Sequence, residues 1–200
     1  LADAGSDIIL NGRNIEKLKQ SAESINTKQK IFQLCFDVTD YEQTKHHIDK
    51  FEKEIRSIDI LINNAGMQFR TPLEDFPPEK FEQLLKTNVS SVFNVSQVVV
   101  KYMIKRGEGK IINIASVQTL LARPGIAPYT ATKGAVGNIT KGMATDWAKY
   151  GIQCNAIAPG YFDTPLNAAL VSDSEFTTWL KKRTPAGRWG QVHELVGASI

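Results

Sequence analysis

The chain has 200 residues, 42% of them hydrophobic, which is enough length and apolar content for one globular domain, residues 1–200, with a buried core. Its 24 basic and 21 acidic side chains leave a formal charge of +3, scattered evenly, which argues against a nucleic-acid or membrane surface. Two cysteines, Cys35 and Cys154, lie far apart within apolar runs and form neither a metal pattern nor a disulfide framework, so both are expected as buried free thiols.

Along the chain, LADAG at Leu1 to Gly5 reads as the tail of a helix with a glycine cap. Short apolar runs follow at Asp7–Leu10, Ile31–Phe36, Ile58–Ile62, Lys110–Ala115 and Ile152–Ile157. Helical patterns alternate with them. Asn14–Ile25 and Tyr41–Ile55 are charged and amphipathic, while Phe81–Met103 and Tyr129–Trp147 are longer and more apolar. Strands alternating with helices predict an α/β fold, a doubly wound parallel sheet with helices on both faces. Arg70–Pro78, with three prolines, reads as a surface loop, and HELVGASI at the far end stops within a helical pattern. No apolar run approaches membrane-spanning length and no signal-peptide pattern opens the chain, so it reads as soluble and cytoplasmic.

Two polar intrusions stand on the apolar helices. Asn88 falls among Phe81, Leu84, Leu85, Val89, Val92, Val95 and Val99, and a buried amide must be hydrogen-bonded, either structurally or within a functional network. Tyr129 and Lys133 share a face with Val136, Thr140, Met143 and Trp147. A snorkelling lysine and an ordinary amphipathic tyrosine explain that spacing as well as chemistry does. Their surroundings add weight, because Ser116 and the NNAG run at Asn63 to Gly66 both end predicted strands, and open parallel sheets bind ligands outside the carboxyl ends of their strands.

Taken together, NNAG, Asn88, Ser116 and Tyr129-Thr-Ala-Thr-Lys133 resemble the short-chain dehydrogenase/reductase family. DVTD at Asp37 to Asp40, GKIINIAS at Gly109 to Ser116 and NAIAPGYFDT at Asn155 to Thr164 extend the resemblance over essentially the whole chain. It implies a Rossmann-like three-layer α/β/α fold and a catalytic tetrad of Asn88, Ser116, Tyr129 and Lys133. Physical chemistry supports the assignment: a phenol is a poor base at neutral pH, and a nearby ammonium lowers its pKa. Tyr129 would exchange a proton with the carbonyl oxygen while Ser116 polarises it. By the same resemblance Lys133 also binds the nicotinamide ribose, and Asn88 helps place a water in the proton relay.

The implied cofactor is NADP, with NAD possible. ILNGRN puts Gly12 where NAD users of the family carry aspartate and follows it with Arg13, which suits a 2'-phosphate but is also an ordinary solvated helix-start residue. Asp37 and Val38 match adenine-binding positions. Asn64, Ala65 and Gly66 match the ribose and diphosphate loop, and Pro159, Gly160 and Thr164 the segment closing over nicotinamide. NNAGMQFR, IAPGYFDTPL and the run from Glu175 to Gly190 resemble the sugar-acid branch of the family. In that reading Arg70 meets a substrate carboxylate and Gln68 a sugar hydroxyl, although Arg70 is equally a surface loop arginine.

The resemblance further implies a homodimer or homotetramer with a small-molecule substrate. It places the family's glycine-rich turn and first strand before Leu1 and its last strand beyond Ile200. In the family strand order 3-2-1-4-5-6-7 the first strand is central, so these residues alone are expected to leave two strand edges unpaired and not to fold stably or turn over, and the functional reading is expected to describe the parent protein. A catalytically silent scaffold acting only in association is the alternative function.

Overall fold

The computed structural model describes residues 1–200. Five strands form, each within two residues of its expected place: β1 (Ile8–Gly12), β2 (Ile31–Cys35), β3 (Ile60–Asn63), β4 (Gly109–Ile114) and β5 (Ile152–Ile157). All pairings are parallel. Ile8 stands opposite Ile31 in one ladder, while Ile60 opposes Lys110 and Gly109 opposes Ile152 in the other. The spatial order is β2-β1, a break, then β3-β4-β5. The break is an apolar slot of about 790 Å³ between β1 and β3, lined by Ile8, Leu10, Leu61, Val92 and Val95 among others. The family order predicts the interruption at this place.

Helices connect the strands. They are α1 (Ile15–Ser24), α2 (Tyr41–Glu54), α3 (Pro78–Leu85), α4 (Ser91–Arg106) and α5 (Ala127–Trp147). The chain runs outward from β1 to β2 and the opposite way from β3 to β5. Right-handed crossovers therefore put α1 on one face and α4 and α5 on the other, with α2 packed beside α4. Local signals agree with the boundaries: the side chains of Asn14 and Asp40 cap α1 and α2 by accepting from the amides of Lys17 and Gln43. Gly5, at φ +94°, caps the turn Ala2–Ala4, a 3₁₀ turn where the sequence suggests a helix tail.

The core lies between the sheet and α2, α4 and α5, where Phe51, Val98, Val99, Met103, Ile111 and Val136 are almost fully buried. Polar side chains thread it: Asn63 Nδ2 donates to Ser96 Oγ (2.9 Å) and Asn113 Oδ1 (2.8 Å), and Asn113 Nδ2 donates to Thr140 Oγ1 (2.9 Å). This chain fixes α4 and α5 against the strand ends. Cys35 and Cys154 are free thiols; Cys154 is buried and Cys35 only half-buried.

The structure departs from the sequence reading in three elements. Phe81–Met103 is not one helix, because a π-helical turn, Lys86–Ser90, separates α3 from α4. The wider turn shifts the helical phase, leaving Phe81 exposed while Asn88 is buried. The Arg70–Pro78 loop contains a 3₁₀ turn at Leu73–Asp75, and Pro78 opens α3. Beyond β5 the chain forms α6 (Ala168–Val171), α7 (Ser174–Arg183) and α8 (Val196–Ser199); neither α6 nor α7 has a counterpart among the predicted elements.

Candidate active site

Ser116 follows the end of β4, where the peptides of Ala115 and Val117 continue the ladder by donating to Ile157 O (2.8 Å) and Pro159 O (3.0 Å). Its side chain then caps the 3₁₀ turn Val117–Thr119 by accepting from the Gln118 amide at 3.2 Å. With that lone pair occupied, the hydroxyl proton is free to face the site. The turn is pinned to α5, since Thr119 Oγ1 donates to Lys133 O at 3.0 Å. Gly137 makes the approach possible: a Cβ there would lie 2.5 Å from Thr119 Cγ2. Gly137→Ala is therefore expected to lose about 1 to 2 kcal/mol of stability despite alanine's better helix propensity, and to lower kcat by displacing Ser116. Thermal melts and steady-state rates check both effects.

Tyr129 and Lys133 are one turn apart at the start of α5, and the Lys133 ammonium lies 5.7 Å from the Tyr129 ring centre. Burial holds the phenol above its ordinary pKa, against the neighbouring Ser116 hydroxyl and the positive charge of Arg70, which pull it down. The lowering expected from Lys133 does not show as a net shift, because burial of the phenol outweighs the favourable charges around it. Lys133 itself is pushed down to about 8 by burial. Its ammonium donates to Ile114 O at 2.6 Å and faces no carboxylate.

Asn88 stands behind these groups, 1% exposed. Its Oδ1 accepts from the Met67 amide (2.8 Å), and its Nδ2 donates to Met67 O (3.0 Å) and Thr132 Oγ1 (3.1 Å). Thr132 Oγ1 in turn donates to Tyr129 O at 2.7 Å. The side chain thus ties the loop after β3 to the first turn of α5. The π turn delivers it there.

Residues expected to hold the cofactor fall in two places. Arg13 and Asp37, at the ends of β1 and β2, pair at 3.6 Å, with the Arg13 side chain 78% exposed. Burial raises the Asp37 pKa, but the Thr39 amide and hydroxyl and the Arg13 charge outweigh it, so the carboxyl lies below its usual range. Val38 follows, half-buried. Asn64, Ala65 and Gly66 lie exposed at the end of β3, Pro159 and Gly160 beside the Ser116 turn, and Thr164 before the turn Pro165–Asn167. A buried ammonium with one protein acceptor has two donors left, which fits ribose hydroxyls. The residues present therefore suit a dinucleotide lying over these strand ends.

The cavity over Ser116 and Tyr129 is about 60 Å³ and separate from the larger slot. Ser116, Tyr129, Gln68 and Arg70, the residues the sequence reading assigns to substrate, line it together with Gly160 of the segment assigned to nicotinamide. It also gathers Gln118, Arg123 and Tyr161, which that reading missed. Arg70 bridges across it, its Nη2 donating to Leu166 O (3.4 Å) and Asn167 Oδ1 (3.3 Å). Arg123 was findable in principle, as a cation in the loop between the Ser116 strand end and the tyrosine helix. Tyr161 belongs to an aromatic cluster with Phe176, Trp179 and Trp189 that seats α7 over the site.

The chain is similar throughout to known dehydrogenases. It is 55% identical to the gluconate 5-dehydrogenase of Gluconobacter oxydans (strain 621H), covering 100% of this chain and 78% of that protein. It is 42% identical to the 5-keto-D-gluconate 5-reductase of Escherichia coli (strain K12), over 100% of this chain and 79% of the other. The solved gluconate 5-dehydrogenase of Burkholderia cenocepacia J2315, in complex with NADP and tartrate, superposes with a TM-score of 0.94 at 54% identity, covering 100% of this chain and 78% of that one. The family model described as short chain dehydrogenase matches residues 1–175, a span that carries all four tetrad positions, and the chain belongs to that family.

Proposed function

We propose that the protein is an NADP(H)-linked oxidoreductase interconverting gluconate, or a closely similar sugar acid, with its 5-keto form. The observation that carries this reading is the juxtaposition of Ser116 and Tyr129 with Arg70 in one cavity, the guanidinium having no acidic partner. The relatives named above, acting by their names on gluconate and 5-keto-D-gluconate, support it.

When bound, the nicotinamide supplies or accepts the hydride. The chain supplies everything else. Ser116 Oγ, with a lone pair held by the Gln118 amide, donates its proton toward the substrate oxygen and polarises the carbonyl. Tyr129, protonated at neutral pH as any phenol of pKa 10 or above is, gives its proton to that oxygen in reduction and regains it in oxidation. Lys133 holds the ribose through its two free donors, and its charge stabilises the phenolate while that exists. Asn88 fixes the loop that carries Asn64 to Gly66 and the first turn of α5, and in the proposed tetrad it supports the water of the proton relay. Arg70 takes the substrate carboxylate and Gln68 a hydroxyl.

Steady-state reduction of 5-keto-D-gluconate against a neutral ketose of equal length tests the reading. Saturation by the acid with a weaker response to the ketose supports it, and equal turnover of both contradicts it. For the cofactor, Arg13 offers an exposed guanidinium beside Asp37. Arg13→Ala is expected to weaken NADP binding about 10-fold while leaving NAD unchanged, measured by fluorescence titration. Assembly as a dimer or tetramer through the outer faces of α3, α4 and α5 is part of the same proposal, supported by the exposed rings of Phe81 and Phe93.

A further inference from the structure

Six buried side-chain polar atoms in the chain have no hydrogen-bond partner, and three of them, Gln68 Oε1, Gln118 Oε1 and Arg123 Nε, belong to residues lining the catalytic cavity. Unsatisfied buried groups are costly and rare, so this concentration marks a place where a ligand completes the bonding. The pattern is mixed. Two amide oxygens call for donors such as hydroxyls, and a guanidinium nitrogen calls for an acceptor.

Arg123 has no carboxylate partner, and its only protein hydrogen bond is a 3.4 Å contact from Nη1 to Pro124 O. Its guanidinium lies over the Phe176 ring, 5.4 Å from the centroid, which fixes its plane from the α7 side. Arg70 and Arg123 line the same small cavity and neither has a carboxylate partner; burial first and the Arg123 charge second hold the Arg70 guanidinium below its ordinary pKa. An anion between them removes that repulsion and gains charge-assisted hydrogen bonds from both.

We propose that Arg123 is a specificity-determining residue that clamps the substrate carboxylate together with Arg70, while Gln118 Oε1 accepts a hydrogen bond from a hydroxyl of the same substrate. The proposal rests on the sugar-acid reading and deepens it. It assigns Arg123 the choice between acids and neutral polyols and leaves the proton transfer to Ser116 and Tyr129. Through Phe176 it also makes the seating of α7 part of carboxylate recognition.

The test compares kcat and KM for 5-keto-D-gluconate and its neutral primary amide in wild type, Arg123→Gln and Arg123→Lys. Arg123→Gln is expected to raise KM for the acid about 10- to 100-fold while changing KM for the amide by less than about 2-fold. Arg123→Lys, which keeps the charge without the fork, recovers part of the loss. Equal losses on acid and amide, or no loss on the acid, overturn the role of Arg123 while a wild-type preference for the acid leaves the sugar-acid reading standing. A wild type that does not distinguish acid from amide overturns both.

Discussion

Tyr129→Phe is expected to lower kcat by about 10²- to 10⁴-fold while leaving cofactor and substrate affinity nearly unchanged. The substitution removes one oxygen from a half-buried ring, so the fold should tolerate it. What disappears is the phenol proposed to exchange a proton with the substrate oxygen beside Ser116. The pH dependence follows from burial. Because the phenol pKa is held above its ordinary value of 10.0 without ligand, the protonated form needed for reduction persists through the neutral range. Oxidation needs the phenolate, so its rate should climb with alkaline pH while reduction stays flat across neutrality. Rate profiles in both directions check this, and a variant retaining near-normal kcat would remove Tyr129 from the chemistry.

Lys133→Met is expected to abolish useful turnover and yet stabilise the protein. Lys133 is 7% exposed, its ammonium has one carbonyl acceptor, and burial pushes its pKa down to about 8 from an ordinary 10.5. That displacement corresponds to about 3 kcal/mol of unfavourable burial at neutral pH. Methionine fills similar volume without charge, loses a hydrogen bond of about 1 kcal/mol, and should gain about 1 to 2 kcal/mol net. The sign with pH is definite. Below pH 8 lysine is protonated in folded and unfolded chains and the penalty is complete. Between 8 and 10.5 only the unfolded chain keeps the proton, so wild-type stability rises with pH relative to the variant. Denaturant melts of both proteins across that range measure the difference. A destabilised variant at neutral pH would show that Lys133 is held by more than Ile114 O.

Much of this was legible before any coordinates. Strand positions can be read from apolar runs, and along the face from Tyr129 to Trp147 the residues Lys133, Val136, Thr140 and Met143 are buried as its period predicts, with Tyr129 and Trp147 half-buried. Asn88 was visible as an anomaly, but the π turn that delivers it was not, because periodicity assumes 3.6 residues per turn. Gly137 escaped notice because a glycine within a helix declares nothing about the Thr119 methyl it accommodates. Arg123 and Gln118 were hidden for another reason: only the folding of the 116–126 loop over α5 and under α7 brings them to Ser116 and Tyr129. The tyrosine pKa reversed direction because proximity in sequence reveals a charge but not the loss of water around both groups.

The central claim is that Ser116, Tyr129 and Lys133 serve hydride exchange between NADP(H) and a sugar-acid ketone. Reduction of 5-keto-D-gluconate with NADPH deuterated at the transferring position of the nicotinamide, with mass analysis of the product, tests it most directly. The account predicts one deuterium per product molecule at the former carbonyl carbon, and loss of that product in Tyr129→Phe. Protein that binds NADPH but yields no deuterated sugar acid would contradict it.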